Sequence, residues 1–283
     1  MDDIPFPIAP ALIQAFDSRI DASLSATLIL LSIWCLLSTG EWIANFGLFR
    51  AKDLLSWRIL SLRGDPLFRP GWLQPLYRPG GVAAVLGVRL LAALALPFAS
   101  HGAMQIALLL ALVATAWQIK LRAWLGEDGS DQIGQIVTIG ALLIALGRAA
   151  DDLLLAFAGT LLITGQLLLA YFIAGFAKLL SPQWRDGQAV VGVAGTHSYG
   201  NALGARVFAS HGWIAMAFCW GVIVCETIFP LFLFAPPGVL LWALGGFIAF
   251  HIATGYFMGL NTFLWAFVSA YPSVVLVNAL IAG

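Results

Sequence analysis

Charged residues are scarce in this chain. Lys, Arg, Asp and Glu make up 10% of its 283 residues, whereas an ordinary soluble domain carries about 25%. So few charges cannot cover a surface that faces water, and 61% of the residues are hydrophobic. The composition therefore predicts an integral membrane protein whose main surroundings are the lipid bilayer. The formal net charge of zero gives no indication of nucleic-acid binding.

Cysteine and the common short motifs are also scarce. Cys35, Cys219 and Cys225 all lie in apolar runs and form no CxxC pair, so we predict neither a disulfide framework nor a thiolate metal site. No HExxH, no His pair at i and i+4 and no P-loop occurs, so we predict no metal site of these types. The first twenty residues lack a basic region followed by an apolar one, and we expect no cleaved signal peptide.

Long apolar runs are abundant, and a helical span needs about 20 such residues. We predict an all-α fold, a polytopic integral membrane helical bundle of about seven transmembrane helices, within a range of six to eight. Residues 1–24 are expected to form an N-terminal interfacial tail, and residues 25–283 a single transmembrane domain. The predicted spans cover residues 25–49, 81–99, 102–120, 132–148, 153–178 and 212–235, with a seventh from near Val239. Beyond Gly259 the chain forms either an eighth span or the continuation of a broken helix.

The polar stretch 50–79 is rich in Arg and Trp. Its sequence "DLLSWRILSL" is typical of a short amphipathic helix on the membrane surface. Most Lys and Arg residues fall on the same side of the seven-span arrangement as this stretch, which favours a cytoplasmic 50–79 loop and an outside N-terminus. We expect the protein to lie in the inner or cytoplasmic membrane of a bacterium.

Five ionisable residues fall within or near the spans, where a charge costs at least about 2.5–3.5 kcal/mol on insertion scales. Arg89 is one turn inside its span, and we expect its guanidinium to reach the headgroups. Glu41 is near a span end and is expected at the interface. The other three are Lys178, Glu226 and His251.

Lys178 ends a span, and its helical face carries Tyr171, Ala174 and Gly175 at i−7, i−4 and i−3. Small residues at these positions let another helix approach closely. An amine removed from water can act as a base near neutral pH. Lys178 is therefore either a buried base or an interfacial anchor.

Glu226 and His251 each lie among apolar residues for at least a turn on both sides. Glu226 is expected to be either protonated or paired with a cation from another helix. His251 is either a structural hydrogen-bonding residue or a functional one. Lys178, Glu226 and His251 belong to three consecutive predicted helices, and such helices are commonly neighbours, so they are our candidate catalytic cluster.

The stretch "YFIAGFAKLLSPQWRDGQAV" (171–190) resembles the signature of the HTTM (horizontally transferred transmembrane) and vitamin K-dependent γ-carboxylase-like superfamily. "WGVIVCETIFPLFLF" (220–234), "FHIATGYFMGLNTFLWAFVSAYP" (250–272) and "GEDGSDQI" (126–133) are similar to further blocks of that family. The resemblance covers residues 120–272. The residues that carry the signature are Tyr171, Phe172, Ala174, Gly175, Lys178, Trp184 and Gly187.

The resemblance implies a lipophilic quinone or quinol as cofactor, with Lys178 as the base that deprotonates the quinol. Tyr171, Gly175 and Trp184 of the same signature are then expected to contact the cofactor. This reading is a quinol-dependent oxidoreductase or carboxylase-type enzyme. Two alternatives stay open. One is a non-catalytic quinone- or lipid-binding subunit of a larger redox or photosynthetic membrane complex. The other is an accessory protein for maturation or export of, or immunity to, a secreted peptide.

Overall fold

The computed structural model describes residues 10–50, 55–63, 71–122, 128–197 and 199–282. This part of the chain consists of α-helices joined by short 3₁₀ turns and loops. The predicted all-α class is confirmed.

Long helices of three turns or more and short helices of about one or two turns both occur. The α-helices of the described residues are α1 (Pro10–Ala44), α2 (Trp57–Leu60), α3 (Gln74–Tyr77), α4 (Pro79–Ala95), α5 (Gly102–Arg122), α6 (Gly129–Ala149), α7 (Leu153–Leu180), α8 (Pro182–Arg185), α9 (Gln188–Ala194), α10 (Ala202–Ser210), α11 (Gly212–Ile228), α12 (Pro237–Met258), α13 (Asn261–Val268) and α14 (Tyr271–Ala282).

Eight helical segments of the described chain are long and apolar enough to cross a membrane. They are α1, α4 with the turn that follows it to Phe98, α5, α6, α7, α11 with its 3₁₀ continuation to Phe234, α12, and α13 together with α14. The protein is thus a polytopic membrane bundle at the upper end of the predicted range. The eighth segment is separate because α12 ends at Met258, the next residue Gly259 has a φ of 74°, and α13 begins at Asn261.

The first helix begins earlier than the apolar run does. α1 starts at Pro10, and its first turns carry Asp17, Arg19 and Asp21, which lie before the predicted span start at Ser25. At α6, the carboxylate of Asp128 accepts hydrogen bonds from the amides of Ser130 and Asp131, which caps the helix. Gly126 and Glu127 of the predicted acidic loop lie outside the described residues.

The stretch between α1 and α4 contains short helices packed on longer ones. Asp53 and Leu54, which begin the predicted amphipathic helix, lie outside the described residues. α2 buries Leu60 against Tyr77, and the indole of Trp57 stacks on the Tyr77 ring with centroids 5.1 Å apart. These contacts join α2 to α3 within the stretch through aromatic surface.

The contacts divide the described residues into two compact units. One comprises residues 24–160, and the other comprises the described residues up to Ser23 together with those from Leu161 onward. A compact unit is not by itself a domain, so the single transmembrane domain and the N-terminal tail stay predictions.

Within residues 24–160, Arg89 is buried, at 3% exposure, which corrects the expectation that it reaches the headgroups. Its Nε donates to the hydroxyl of Thr39 at 3.1 Å, and its guanidinium carbon lies 5.2 Å from the centroid of the Trp34 ring. A buried cation is tolerated when hydrogen bonds and an aromatic face replace water. Glu41, one turn before the end of α1, is exposed.

Within the other unit, α14 is hydrogen-bonded to the end of the sixth span, which consists of α11 and its 3₁₀ continuation. The buried amide of Asn278 donates to the carbonyl oxygens of Leu233 and Ala235, each at 2.8 Å. These carbonyls lie where α11 has passed into a 3₁₀ turn and a loop, so they lack α-helical partners. The bonds place α14 against the segment that follows Glu226.

Candidate functional site

Lys178 and Glu226 form an ion pair between α7 and α11. The Nζ of Lys178 lies 2.6 Å from Oε2 of Glu226 and also donates to the Ala174 carbonyl at 3.4 Å. The side chain of Glu226 is 8% exposed and that of Lys178 is 21% exposed. At this distance the contact is a charge-assisted hydrogen bond, with Glu226 as its more deeply buried member.

The two helices come together at a glycine. A β-carbon on Gly175 would lie 2.5 Å from the Thr227 amide nitrogen and 2.6 Å from the Thr227 hydroxyl oxygen. Any side chain at this position would push α7 away from α11. The close approach predicted from the small residues of α7 is present, and Thr227 is next to Glu226 in sequence.

The residues that follow α7 cover the amine. α8 brings Trp184 beside Lys178, with Nζ 5.2 Å from the ring centroid. Gly187 immediately precedes α9 and has a φ of 83°, a left-handed conformation that suits glycine. A β-carbon on Gly187 would lie 2.9 Å from the amide nitrogen of Met216 in α11. The indole nitrogen of Trp220 donates to the Arg185 carbonyl at 3.1 Å. These contacts hold α8 and α9 against α11.

Glu226 also lines a cavity of about 390 Å³ between α11 and α12. The other described residues that line the cavity are apolar, apart from the thiol of Cys225. Gly221 and Gly246 lie in this wall, and a β-carbon built on either would meet no atom within 4 Å. Both glycines are exposed, so the cavity opens on the surface of two spans, which faces lipid in a membrane protein.

A second polar cluster lies deeper in the same unit. The hydroxyl of Tyr171 shares a hydrogen bond of 2.9 Å with Nε2 of His251 and one of 3.2 Å with the hydroxyl of Tyr271. The three residues come from α7, α12 and α14, and all are at most 6% exposed. They form a chain of titratable groups inside the bundle.

Aromatic rings enclose this cluster. The ring centroid of Tyr171 lies 4.2 Å from that of Phe229, 4.5 Å from that of Phe247 and 5.0 Å from that of Phe267. Phe247 also lines the cavity at Glu226. Phe247 therefore separates the Tyr171 ring from the cavity and belongs to both.

The structure brings the predicted catalytic residues together only in part. Lys178 meets Glu226, which fits the predicted pairing of that carboxyl with a cation from another helix. His251 is hydrogen-bonded to Tyr171 instead, which is two helical turns, or about 10 Å, from Lys178 along α7. Trp184 covers the amine, and Gly175 acts through helix packing.

Sequence reasoning missed three parts of the site: Tyr271, the phenylalanines around Tyr171, and the cavity. The available signal for Tyr271 was a tyrosine inside the apolar run before Pro272. Phenylalanine is too common in this chain, at 19 residues, to single out Phe229, Phe247 or Phe267.

No protein-family model, curated protein or solved structure matches this chain significantly.

Proposed function

We propose that the chain is a membrane enzyme of the HTTM and vitamin K-dependent carboxylase-like type, which removes a proton from a lipophilic quinol. The observation that carries this proposal is the Lys178–Glu226 pair at the wall of an apolar cavity. A quinol ring fits such a site by size, since small-molecule cavities measure about 300–1,000 Å³ and this one about 390 Å³. We further propose a bacterial inner or cytoplasmic membrane as its location.

In the proposed step the pair acts as one acid–base unit. Glu226 lines the cavity, so its carboxylate takes the proton of a quinol hydroxyl, and the electron pair of that O–H bond stays on the quinol oxygen. The ammonium of Lys178, 2.6 Å from Oε2 of Glu226, offsets the negative charge of the carboxylate before the transfer and of the quinolate after it. In this step Glu226 is the base and Lys178 stabilises charge beside it, whereas the resemblance assigns the role of base to Lys178.

Turnover of the protein in lipid nanodiscs tests the proposal. With menadiol and oxygen, the wild type is expected to speed the reaction in which menadiol passes two electrons and two protons to oxygen, giving menadione and hydrogen peroxide. Lys178→Ala and Glu226→Gln are expected to lose most of that acceleration. Lys120→Ala is the matched control, because Lys120 also lies in the last turn of a span. Equal turnover in Lys178→Ala and the wild type would rule out the pair as the acid–base unit.

Substitutions at two neighbouring glycines test whether the quinol binds in this cavity. Gly246 lines the cavity, whereas Gly245 does not, and both have open space where a β-carbon would be. Gly246→Leu is expected to weaken quinol binding, and Gly245→Leu to leave it unchanged. Equal binding by both variants would show that the quinol lies elsewhere.

The second candidate is a non-catalytic subunit that binds quinone or lipid. The apolar character of the cavity wall favours it, because Glu226 is the one charged residue among the described residues that line the cavity. Under this reading the wild type binds menadiol without oxidising it, and Lys178→Ala loses only its association with a partner complex.

A further inference from the structure

The compact unit of residues 24–160 contains a small polar cavity among α1, α4, α5 and α6. Its volume is about 10 Å³. The side chains with polar atoms that line it are Ser38 and Trp42 of α1, Arg89 of α4, and Asp131 and Gln135 of α6. A cation and a carboxylate therefore line one space from two different helices.

Arg89 has a donor left to satisfy in this cavity. Its Nε donates to the Thr39 hydroxyl at 3.1 Å, and its Nη1 donates to the Leu112 carbonyl at 3.5 Å. No residue in the described part of the chain accepts a hydrogen bond from its Nη2. The ring of Trp34 covers one face of the guanidinium, and the side chain is 3% exposed. A buried charged donor without an acceptor is costly, so Nη2 needs an acceptor within the cavity.

Asp131 supplies an acceptor on another wall of the same cavity. The Ser38 hydroxyl donates to its Oδ1 at 3.4 Å, which is long for a hydrogen bond between oxygens. A carboxylate can accept about four hydrogen bonds, so this contact leaves capacity for a further donor. The hydrogen bonds of Arg89 go to Thr39 and Leu112 rather than to Asp131. A molecule between the two charged groups would serve both.

The size and charge of the cavity indicate which molecule fits. A volume of about 10 Å³ is roughly the space that one water molecule needs. The guanidinium of Arg89 would repel a cation and the carboxylate of Asp131 would repel an anion, so the pair of charges disfavours either ion. Water is neutral, and it both accepts and donates hydrogen bonds. It therefore matches a site with one donor and one acceptor.

We propose that one water molecule binds between Arg89 and Asp131, where it accepts a hydrogen bond from Nη2 and donates one to the carboxylate. The bridge makes the two residues a water-mediated ion pair that links α4 to α6. Both groups keep their charge inside the bundle because the water replaces part of the hydration that each has lost. The inference is independent of the proposed function, since it uses neither Lys178 nor Glu226.

A crystal structure of the wild-type protein grown in a lipidic mesophase tests the water directly. We expect a density peak about 3 Å from both Nη2 of Arg89 and a carboxylate oxygen of Asp131. Crystals soaked in bromide or in rubidium salts distinguish water from an ion, because each of these ions gives an anomalous signal. An anomalous peak at this position overturns the proposal. So does the lack of any peak in a map that shows other buried waters.

A double-mutant cycle tests the link between the two residues. Asp131→Asn removes the counter-charge of Arg89, so it is expected to lower the folding equilibrium constant about fivefold more in the wild type than in Arg89→Met. Chemical denaturation in mixed micelles measures both effects. Arg58→Met is the matched control, because Arg58 is exposed on α2, and it is expected to change the effect of Asp131→Asn by less than about twofold.

Equal effects of Asp131→Asn in the wild type and in Arg89→Met overturn the proposed bridge. Coupling in the cycle without a density peak overturns the water, because the two charges then interact without it. The crystal structure uses no variant, so it decides the proposal if Asp131→Asn fails to fold.

Discussion

Gly175 of α7 lies so close to Thr227 of α11 that a β-carbon on the glycine would be 2.5 Å from the threonine amide nitrogen. Real β-carbons do not approach backbone atoms this closely, so a side chain must separate the helices. Because Glu226 precedes Thr227, the contact also sets the distance between Glu226 and Lys178.

Gly175→Ala is therefore expected to lower the stability of the protein by about 1–3 kcal/mol, the usual cost of overpacking. Thermal unfolding in detergent measures it. Gly165→Ala is the control on the same helix, because a β-carbon there would meet no atom within 4 Å. A melting temperature equal to that of Gly165→Ala would contradict the close approach.

The Lys178–Glu226 pair is expected to show strong coupling in a double-mutant cycle. Lys178→Met leaves the carboxylate of Glu226 buried without its cation, which costs about 3–5 kcal/mol in comparable buried pairs. Lys178→Met combined with Glu226→Leu removes both charges and is expected to be more stable than Lys178→Met alone. Chemical denaturation in mixed micelles measures the cycle. Effects of the two changes that add within about 0.5 kcal/mol would show that the residues do not interact.

Tyr171→Phe tests the buried hydrogen-bonded chain. The change removes the hydroxyl shared by His251 and Tyr271 and leaves two buried polar groups without that partner, at an expected cost of about 1–3 kcal/mol. Tyr256→Phe is the control, because Tyr256 is 83% exposed on α12. Thermal unfolding of both variants gives the comparison. The prediction fails if the two variants melt at the same temperature.

Arg89→Met is expected to destabilise the protein by about 1–3 kcal/mol, since Thr39 loses its donor and the ring of Trp34 loses its cation. Arg58→Met is the control, because Arg58 is exposed on α2. Samples of both variants are heated to a series of temperatures and run on a size-exclusion column, and the temperatures at which half of the folded peak is lost are compared. Equal stability of the two variants would contradict the buried contacts of Arg89 and favour the headgroup position expected from the sequence.

The spans were predictable because bilayer thickness fixes the length of an apolar helix. Hydropathy indicates which residues can face lipid, but it does not indicate where a helix begins or ends. For this reason the sequence placed the first span at Ser25, whereas α1 begins at Pro10. The break at Gly259 was visible in the sequence, but its effect, a separate eighth segment, depended on the left-handed conformation of that residue.

The residues of the site were predictable and their partners were not. A charge in an apolar run marks Lys178, Glu226 and His251 because each needs a reason to be there. Which of them meet depends on how each helix is rotated about its axis, and composition does not determine this rotation. Arg89 illustrates the same limit. Its position one turn inside a span suited a headgroup contact, but the neighbouring Thr39 and Trp34 provide an internal one.

Tyr271 and Asn278 belong to α14, which follows the other described helices in sequence, and this has a consequence for biogenesis. Synthesis delivers α7, α11 and α12 to the membrane before α14, so the nascent bundle holds Tyr171 and His251 while Tyr271 is still absent. The carbonyls of Leu233 and Ala235 likewise lack the side-chain amide of Asn278 as their donor until α14 is present. The interior around Tyr171 is thus completed only after α14 has been synthesised and has joined the earlier helices, so this packing is a late step in assembly.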